Sequence, residues 1–473
     1  MGGLAAEVGP LRRPLAGVKA DLGAAAGLGL LTLASRVPLW RDYLFNWDAA
    51  NFALAVLHFD VREHRPHPPG YFYYVALGRL ANLWLNDPNR SLILVSTLLS
   101  GGAVVAAYLL GRVVFRDRAV GLASALLLLS SVTFWAYGLV ALAYPALALF
   151  GGLVGLAAVR PYPLLATLAL GVGSGFRPDL VLLLGPLWLW SLRGLSWLGR
   201  AGLVLLLGFL VLCWLSPTAA LSGGLFEYLQ ALRGYLDEDV WQRYAPGARG
   251  PAALAVNLRD TAAYVFYGLY FAVIPTALGL IQLARDIAGR RLDPAVGLWL
   301  GLWVGPPLAF YTLVHIGDPG YVFSFLPALA LVGGYGLRGL SSQWAFGAAL
   351  LGLVVLNGVV FFFHPRVLTY PGLVAADVSL AERLDLLDRF PPKSTLVVAA
   401  ESYRALQFYR PGYQNLVWVD RRLEETAVTV PAGVGWVVVF DPGLPGPPGA
   451  ERVGSAGLRV VSARPGDVLV FRP

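Results

Sequence analysis

The sequence predicts a polytopic α-helical membrane protein that ends in a small α/β domain. Of its 473 residues, 57% are hydrophobic and only 14% are charged, and the mean hydropathy is +0.64. Soluble proteins carry about 25% charged residues. Residues 91–176 hold only five charged side chains, which is typical of chain that lies in lipid. This composition excludes a disordered chain, a coiled coil and a nucleic-acid-binding module.

The membrane helices begin with the apolar segment Leu22–Ala34, which follows Arg12, Arg13 and Lys19. We interpret this segment as an uncleaved first helix and not as a signal peptide, because no convincing cleavage site follows it and many apolar spans do. Further spans are predicted at about 91–111, 119–137, 139–159, 162–176, 179–193, 201–220, 258–284, 295–314, 321–337 and 344–363. The chain should therefore contain about eleven transmembrane helices.

Arginine marks one side of these spans. With the N-terminus in the cytoplasm, every short turn on that side carries arginine, as the positive-inside rule expects. These residues are Arg112, Arg116, Arg118, Arg160, Arg193, Arg200, Arg285, Arg290, Arg291 and Arg338. The net charge of +8 is then largely a signal of topology. Three long segments, 41–90, 221–257 and 364–473, fall on the periplasmic or extracellular face of the plasma (inner) membrane.

The chain changes character after Phe363. We expect residues 1–363 to form the membrane domain and residues 364–473 a soluble extracytoplasmic α/β domain. Asp377–Arg389 has a helical pattern. Short apolar runs predict strands at Thr395–Ala400, Leu416–Val419, Gly435–Phe440, Leu458–Ser462 and Asp467–Phe471. The single cysteine, Cys213, excludes an intramolecular disulfide and a cysteine-rich metal site.

The first outer loop, 41–90, concentrates ionisable side chains. They include Asp48, Asp60, Glu63, His58, His64 and His67. Asp48 stands at the start of a helix-like apolar run, Ala49–Phe59, so it is either a helix cap or a reactive carboxylate at the membrane surface. The second outer segment, 221–257, mixes aromatic and charged residues. It is either an amphipathic or re-entrant segment over the active side or a plain solvated loop.

Three motifs resemble those of a known family. They are "NWDAANFA" with the following "HRPHPPGYFYYVALGRL" in the first outer loop, then "GSGFRPDLVLLLGPL", then "HIGDPGYVFSFLPALAL". Over roughly residues 25–365 the chain resembles the GT-C glycosyltransferases. It is similar in particular to the bacterial branch of the dolichyl-phosphate-mannose–protein mannosyltransferase family. The first loop is the most specific of the three, since Arg-Pro and Gly-Tyr turns are common in membrane proteins.

This resemblance implies a GT-C-like membrane domain that acts as an inverting glycosyltransferase. The enzyme would move a hexosyl or pentosyl group from a polyprenyl-phosphate-linked donor to an acceptor hydroxyl on the outer face of the membrane. Asp48 would be the general base. The family often carries a second acid directly after this aspartate, whereas here the neighbour is Ala49, so Asp60 or Glu63 becomes the substitute candidate.

Arg177 and His315 are the candidates for binding the donor phosphate, because both fall at outer turns. Arginine suits bidentate phosphate contact, although a local ion pair with Asp179 is the competing interpretation. His315 is alternatively an interfacial histidine without a role. His67, Asp179 and Tyr321 are further candidates for substrate contact, and Tyr321 also fits an aromatic-belt anchor.

The histidines of the first loop raise the question of a metal. His58, His64 and His67 are weak candidates for a divalent ion, which some GT-C enzymes use. The prolines around His67 disfavour a helical ligand pair, so a tight turn is the competing interpretation. No other cofactor is expected.

Two other classes of function compete with the enzyme. A transporter or lipid flippase would show an internal repeat and charges in broken helices at the midplane, and neither is evident in the sequence. A non-catalytic cell-envelope scaffold is the third class. The expected partners are the lipid-linked sugar donor, a glycan, lipid or protein acceptor, and membrane lipid, with no nucleic acid.

Overall fold

The computed structural model describes residues 17–160, 162–420 and 425–471, and it shows a helical body followed by a small sheet domain. Arg12 and Arg13, which the topology prediction uses, lie outside the described residues. The helices are α1 (Val18–Arg36), α2 (Trp47–Leu57), α3 (Phe72–Leu85), α4 (Pro88–Val114), α5 (Arg118–Leu129), α6 (Val132–Tyr137), α7 (Pro145–Val159), α8 (Pro163–Phe176), α9 (Leu180–Ser191), α10 (Trp197–Leu221), α11 (Leu225–Tyr235), α12 (Gln242–Tyr244), α13 (Pro246–Arg249), α14 (Pro251–Leu269), α15 (Val273–Ala288), α16 (Pro294–Leu313), α17 (Leu326–Arg338), α18 (Gln343–Phe363), α19 (Tyr370–Leu387) and α20 (Tyr403–Tyr409).

The predicted class of polytopic helical membrane protein is confirmed. Within the described ranges, six helical segments are long and apolar enough to cross a membrane: Val18–Leu39, Pro88–Val114, Trp197–Leu221, Pro251–Ala288, Pro294–Leu313 and Gln343–Phe363. The shorter helices α5, α7, α8, α9 and α17 occupy the other predicted spans. Every predicted span therefore coincides with a helix, although several of these helices are short.

One short stretch of irregular chain lies inside the helical body, between α6 and α7. Its carbonyl groups must find donors within the protein, since lipid offers none. Helix α4 supplies two of them. The hydroxyl of Thr97 donates to the carbonyl of Gly138, and that of Ser96 donates to the carbonyl of Leu142, both at 2.8 Å. Helix α4 also packs against α1, α3, α5 and α7, so it forms the centre of the body.

Ion pairs gather at the end of the body where α1 begins and α4 ends. Asp21 of α1 binds Arg112 and Arg118, at 3.2 and 2.8 Å. Asp117 binds Arg338 at 2.7 Å. Arginines of two turns assigned to the cytoplasm thus lie together. Which face of the membrane this end occupies stays a prediction from the positive-inside rule.

The first outer loop and the soluble domain meet at the opposite end. The backbone N–H of Asp42 donates to the carboxylate of Asp377 at 3.0 Å, and that of Leu44 donates to the Tyr409 hydroxyl at 2.9 Å. Arg41 also pairs with Asp377 at 3.1 Å. These contacts fix the soluble domain on the loop that contains Asp48.

The C-terminal domain has the predicted α/β architecture. Its strands are β1 (Thr395–Ala399), β2 (Leu416–Trp418), β3 (Thr426–Thr429), β4 (Trp436–Val439), β5 (Glu451–Val453), β6 (Leu458–Ser462) and β7 (Val468–Phe471). The main sheet has the order β2-β1-β4-β6-β5, and β1 is parallel to both of its neighbours. Strands β3 and β7 form a separate antiparallel pair. Five of the seven strands match the predicted runs, whereas β3, β5 and the short helix α20 were missed.

Helix α19 joins the two parts of the chain. The preceding helix, α18, ends at Phe363, the residue after which the soluble domain was predicted to begin. Leu373, near the start of α19, is buried in the core of the membrane body. Leu380 and Leu384, further along the same helix, are buried in the core of the soluble domain. One helix therefore contributes to both cores.

Candidate active site

Asp48 lies in the first turn of α2, but it does not cap that helix. The cap is Asn46, whose side chain accepts a hydrogen bond from the N–H of Ala49 at 3.0 Å. The capping role that the sequence left open for Asp48 therefore belongs to Asn46. The Asp48 side chain is 36% exposed, so its carboxylate is accessible from outside.

His67 faces the Asp48 carboxylate. Its Nδ1 lies 3.6 Å from Oδ1 of Asp48, and its Nε2 lies 3.0 Å from the Tyr71 hydroxyl. Burial lowers the pKa of His67 in spite of the nearby Asp48 charge, so the ring is neutral near pH 7. Since 3.6 Å exceeds hydrogen-bond range, Nδ1 has no hydrogen bond to any described residue. A free ring nitrogen therefore stands beside the carboxylate.

The loop around His67 is held by its own backbone. Asp60 and Arg65 exchange two backbone hydrogen bonds of 2.7 and 2.9 Å, which close the turn before His67. Gly70 then has a φ of +116°, and a Cβ there would lie 2.7 Å from a methyl carbon of Thr218. Only glycine fits such a position. This turn places Tyr71 next to His67.

Arg177 lies at the junction of α8 and α9 and is 4% exposed. Its guanidinium makes two contacts with Asp179: Nε to Oδ1 at 3.2 Å and Nη2 to Oδ2 at 3.0 Å. The local pair considered from the sequence is therefore present. The guanidinium carbon also lies 4.9 to 5.3 Å from the ring centres of Tyr71, Tyr144 and Tyr321. Three aromatic rings thus surround one buried cation.

His315 joins the same cluster through Tyr321. Its Nε2 lies 2.8 Å from the Tyr321 hydroxyl, and its ring packs on Tyr244 at 4.4 Å between centres. Burial lowers the pKa of His315 to about 4, and the charge of Arg177 acts in the same direction. His315 is therefore a neutral hydrogen-bonding group at physiological pH, and it is not a cation.

The sequence reasoning missed one acid of this cluster, Asp318. Tyr137 donates a hydrogen bond to its carboxylate, and so does the N–H of Gly320, at 2.8 Å. Burial raises the pKa of Asp318 to about 6, and the negative charge of Asp48 also contributes. Asp318 stands in the motif HIGDPGY, but no sequence pattern indicates that this turn folds towards Asp48.

The second outer segment covers the histidine side of the site. Helix α11 ends at Tyr235, whose ring centre lies 6.1 Å from that of His67. The hydroxyl of Tyr228, in the same helix, donates to the carbonyl of Pro69 at 3.1 Å. Part of segment 221–257 is therefore a helix packed on the first outer loop, and the interpretation as a plain solvated loop is wrong.

The other candidates of the first loop have local partners. Asp60 receives two hydrogen bonds from Arg62 besides capping the turn Val61–Glu63, and Glu63 pairs with Arg65 at 3.3 Å. His58 is exposed at the end of α2. The ring of His64 packs near Tyr235, at 6.4 Å between centres.

No three His, Cys, Asp or Glu side chains gather into a metal-binding group within the part of the chain that the structure describes. His58, His64 and His67, the candidates from the sequence, do not form such a group. The arrangement offers instead one accessible carboxylate, neutral imidazoles and a buried guanidinium. Such a set can accept a proton and stabilise an anionic leaving group.

The fold, with its helical body, outer loops and terminal sheet domain, is shared with solved membrane-protein structures. Among solved structures, the chain is similar to ArnT from Cupriavidus metallidurans bound to undecaprenyl phosphate. The identity is 16% and the TM-score 0.58, over 94% of this chain and 97% of that one. The same protein in the apo state gives 15% identity and a TM-score of 0.55, over 94% and 98% of the two chains. No protein-family model and no curated protein matches this chain.

Proposed function

We propose that this protein is an inverting glycosyltransferase that uses a polyprenyl-phosphate-linked sugar on the outer face of the membrane. Asp48 acts as the general base and takes the proton of the acceptor hydroxyl. The hydroxyl oxygen then attacks the anomeric carbon as the bond from that carbon to the phosphate oxygen breaks. The bonding electrons leave with the polyprenyl phosphate, and attack from the opposite side inverts the configuration.

One observation carries this proposal: three segments far apart in the sequence meet around Asp48 and Arg177. His67 and Tyr71 connect Asp48 with Arg177, because the Tyr71 hydroxyl is hydrogen-bonded to His67 and the Tyr71 ring packs on the Arg177 guanidinium. Tyr321 contacts the same guanidinium and extends the cluster to His315. A base and a cation within one cluster are what transfer from a phosphate leaving group requires.

The phosphate explains why a single carboxylate suffices. A glycosidase must protonate an alkoxide leaving group, so it needs a general acid besides its base or nucleophile. A polyprenyl phosphate leaves as a stable anion and needs only compensation of its charge. Arg177 supplies that charge, and neutral His315 and Tyr321 supply hydrogen bonds. Asp179 holds the guanidinium until the phosphate arrives.

The donor class rests on the fold as well as on the site. The neighbour ArnT was captured with undecaprenyl phosphate, so a polyprenyl phosphate is the lipid we propose for this chain. The proposed orientation has the N-terminus in the cytoplasm, with the active side and the soluble domain outside. The acceptor is a glycan, a lipid or a protein, and the transferred sugar is a hexose or a pentose.

The test uses the purified full-length protein in lipid nanodiscs with radiolabelled polyprenyl-phosphate sugars and cell-envelope acceptors. Asp48→Asn should lower sugar transfer about 10²- to 10⁴-fold, the usual contribution of a general base. Asp42→Asn is the matched control, since Asp42 is an exposed acid of the same loop, with 62% of its side chain accessible. It should retain activity.

The outcomes separate the competing classes. Transfer that survives Asp48→Asn would contradict the assignment of the base. No transfer and no release of polyprenyl phosphate from any donor would contradict the enzyme. Movement of lipid across the bilayer without sugar transfer would then favour a flippase. The absence of both activities would favour a scaffold.

We further propose that transfer needs no metal, because the charge of the phosphate is met by Arg177. Dialysis of the protein against EDTA should leave the transfer rate within about twofold of its starting value. A loss of activity that Mg²⁺ or Mn²⁺ restores would return His58, His64 and His67 to consideration as ligands.

A further inference from the structure

The residue before the proposed base, Trp47, lies against the soluble domain. Helix α2 packs there on α20, which follows β1. The Trp47 ring stacks on Tyr403 at 6.2 Å between centres, with an interplanar angle of 22°. It also contacts Trp418, the last residue of β2, at 5.7 Å and 48°. Three aromatic rings therefore form a row, and its middle ring is Trp47, the residue before Asp48.

This row lies at a particular edge of the sheet. Strands β2, β1 and β4 are parallel. Tyr403 follows the carboxyl end of β1, and Trp418 is the last residue of β2. In open α/β sheets, ligands bind in the crevice outside the carboxyl ends of the strands. The soluble domain thus turns the edge that binds ligands in such folds towards the proposed catalytic loop.

Unused donors accompany the rings. The Arg404 guanidinium lies over Trp47 and Tyr403, at 5.5 and 5.8 Å from the ring centres. Its Nη1 donates to Gln407 at 2.9 Å, but its Nε is buried and has no hydrogen bond to any described residue. The Nε of nearby Arg65 is also buried and has no hydrogen bond to any described residue. Buried donors without partners are costly, so a ligand with acceptor oxygens would stabilise this edge.

We infer that Trp47, Tyr403, Trp418 and Arg404 form a subsite for the saccharide portion of the acceptor. A sugar ring has an apolar C–H face that packs on an aromatic ring and hydroxyl groups that accept hydrogen bonds from guanidinium N–H groups. The Trp418 side chain is 41% exposed, which leaves a ring face for such packing. The inference rests on the proposed function, because it makes the acceptor of the Asp48 reaction a glycan-bearing molecule.

The test measures glycan binding apart from catalysis. Wild-type protein in nanodiscs is applied to an array of bacterial cell-envelope oligosaccharides, and the Kd of the best binder is then measured in solution. Trp418→Ala should weaken binding about three- to tenfold, the usual effect of losing one aromatic packing contact. Trp418→Phe, which keeps a planar ring, should restore most of the affinity.

The chain offers a matched control in Trp436. It is 42% exposed, lies in the same sheet and packs on Phe390, but it begins β4 at the amino edge. Trp436→Ala should leave the Kd unchanged, and thermal melts should show both alanine variants folded. Equal weakening by the two variants, or no oligosaccharide binding at all, would overturn the subsite.

A parallel titration with undecaprenyl phosphate distinguishes the two proposals. Lipid binding without oligosaccharide binding would overturn the subsite and leave the proposed donor intact. Oligosaccharide binding that depends on Trp418 without lipid binding would support the subsite and contradict the proposed donor class.

Discussion

At the scale of single residues, two carboxyl groups of the site, those of Asp48 and Asp318, have different surroundings. Asp48 is accessible beside a neutral imidazole, whereas Asp318 is enclosed by Tyr137 and the backbone of Gly320. The raised pKa of Asp318, about 6, means that it gains a negative charge as the pH rises through that value. Two carboxyl groups in such different surroundings can serve different roles in one site.

The ionisation of Asp318 should weaken donor binding. A second negative charge about 10 Å from a phosphate costs ~1 kcal/mol at an effective dielectric constant of about 30, or about fivefold in Kd. The Kd for undecaprenyl phosphate should therefore rise between pH 5 and pH 7 by about fivefold more in wild type than in Asp318→Asn. Because the phosphate itself titrates near pH 6, the difference between the two proteins is the quantity to measure.

Thermal stability provides an independent check of the same pKa. The folded pKa of Asp318 lies above the value of an unfolded aspartate, so the folded state binds more protons between about pH 4 and pH 6. Its stability contribution is present at low pH and declines as the pH rises through that window. The wild-type Tm should fall by about 1–3 °C more than that of Asp318→Asn between pH 5 and pH 7. Parallel Tm curves would contradict the raised pKa.

At the scale of elements, the turn from Asp60 to Tyr71 determines where His67 stands. Gly70→Ala would place a methyl group against Thr218 at a φ of +116°, so the turn would have to move. We expect transfer to fall at least about tenfold, because sub-ångström to ångström displacements of catalytic groups are costly. Gly412→Ala is the control, since Gly412 is exposed and has nothing within 4 Å of the position of an added Cβ. Equal rates for the two variants would show that the turn does not position the site.

Sequence patterns predicted the membrane spans and most of the strands, but missed strands β3 and β5. Membrane spans such as α4 and α18 are recognisable in the sequence, because a helix that crosses lipid needs a continuous run of apolar residues. The strands β3 and β5 are only four and three residues long, and β3 is stabilised by pairing with the distant β7. Local periodicity carries no information about such a partner. The predicted spans place a boundary at residue 138, but they do not predict the longer irregular stretch 138–144, whose carbonyl groups accept hydrogen bonds from α4.

The sequence predicted several residues of the site, but not the contacts that connect them. Asp48, Arg177 and His315 were identified by motif and by outer-face parity, and the structure brings them into one cluster. Their connections run through Tyr71, Tyr144 and Tyr321, which come from three separate segments. Asp318 was not predicted to belong to the cluster, because an aspartate between glycine and proline is typical of an ordinary turn. The roles of these residues remain proposals.

At the scale of the whole molecule, the eleven predicted spans impose a parity. An odd number of crossings between the N-terminus and residue 364 separates the N-terminus from the soluble domain. The structure shows the soluble domain at the Asp48 end and the ion pairs of Asp21 and Asp117 at the other end. It thus agrees with the parity, and the remaining question is which end faces the cytoplasm.

Cysteine labelling in intact cells answers that question. The chain has one cysteine, Cys213, so Cys213→Ser gives a clean background. Ser341→Cys then reports on the turn between α17 and α18, and Gly412→Cys reports on the soluble domain; both positions are exposed. With the N-terminus in the cytoplasm, a membrane-impermeant maleimide should label Gly412→Cys and leave Ser341→Cys unlabelled until the membrane is permeabilised. The reverse pattern would put Asp48 and Arg177 on the cytoplasmic face, where the positive-inside rule places the arginine-bearing turns instead.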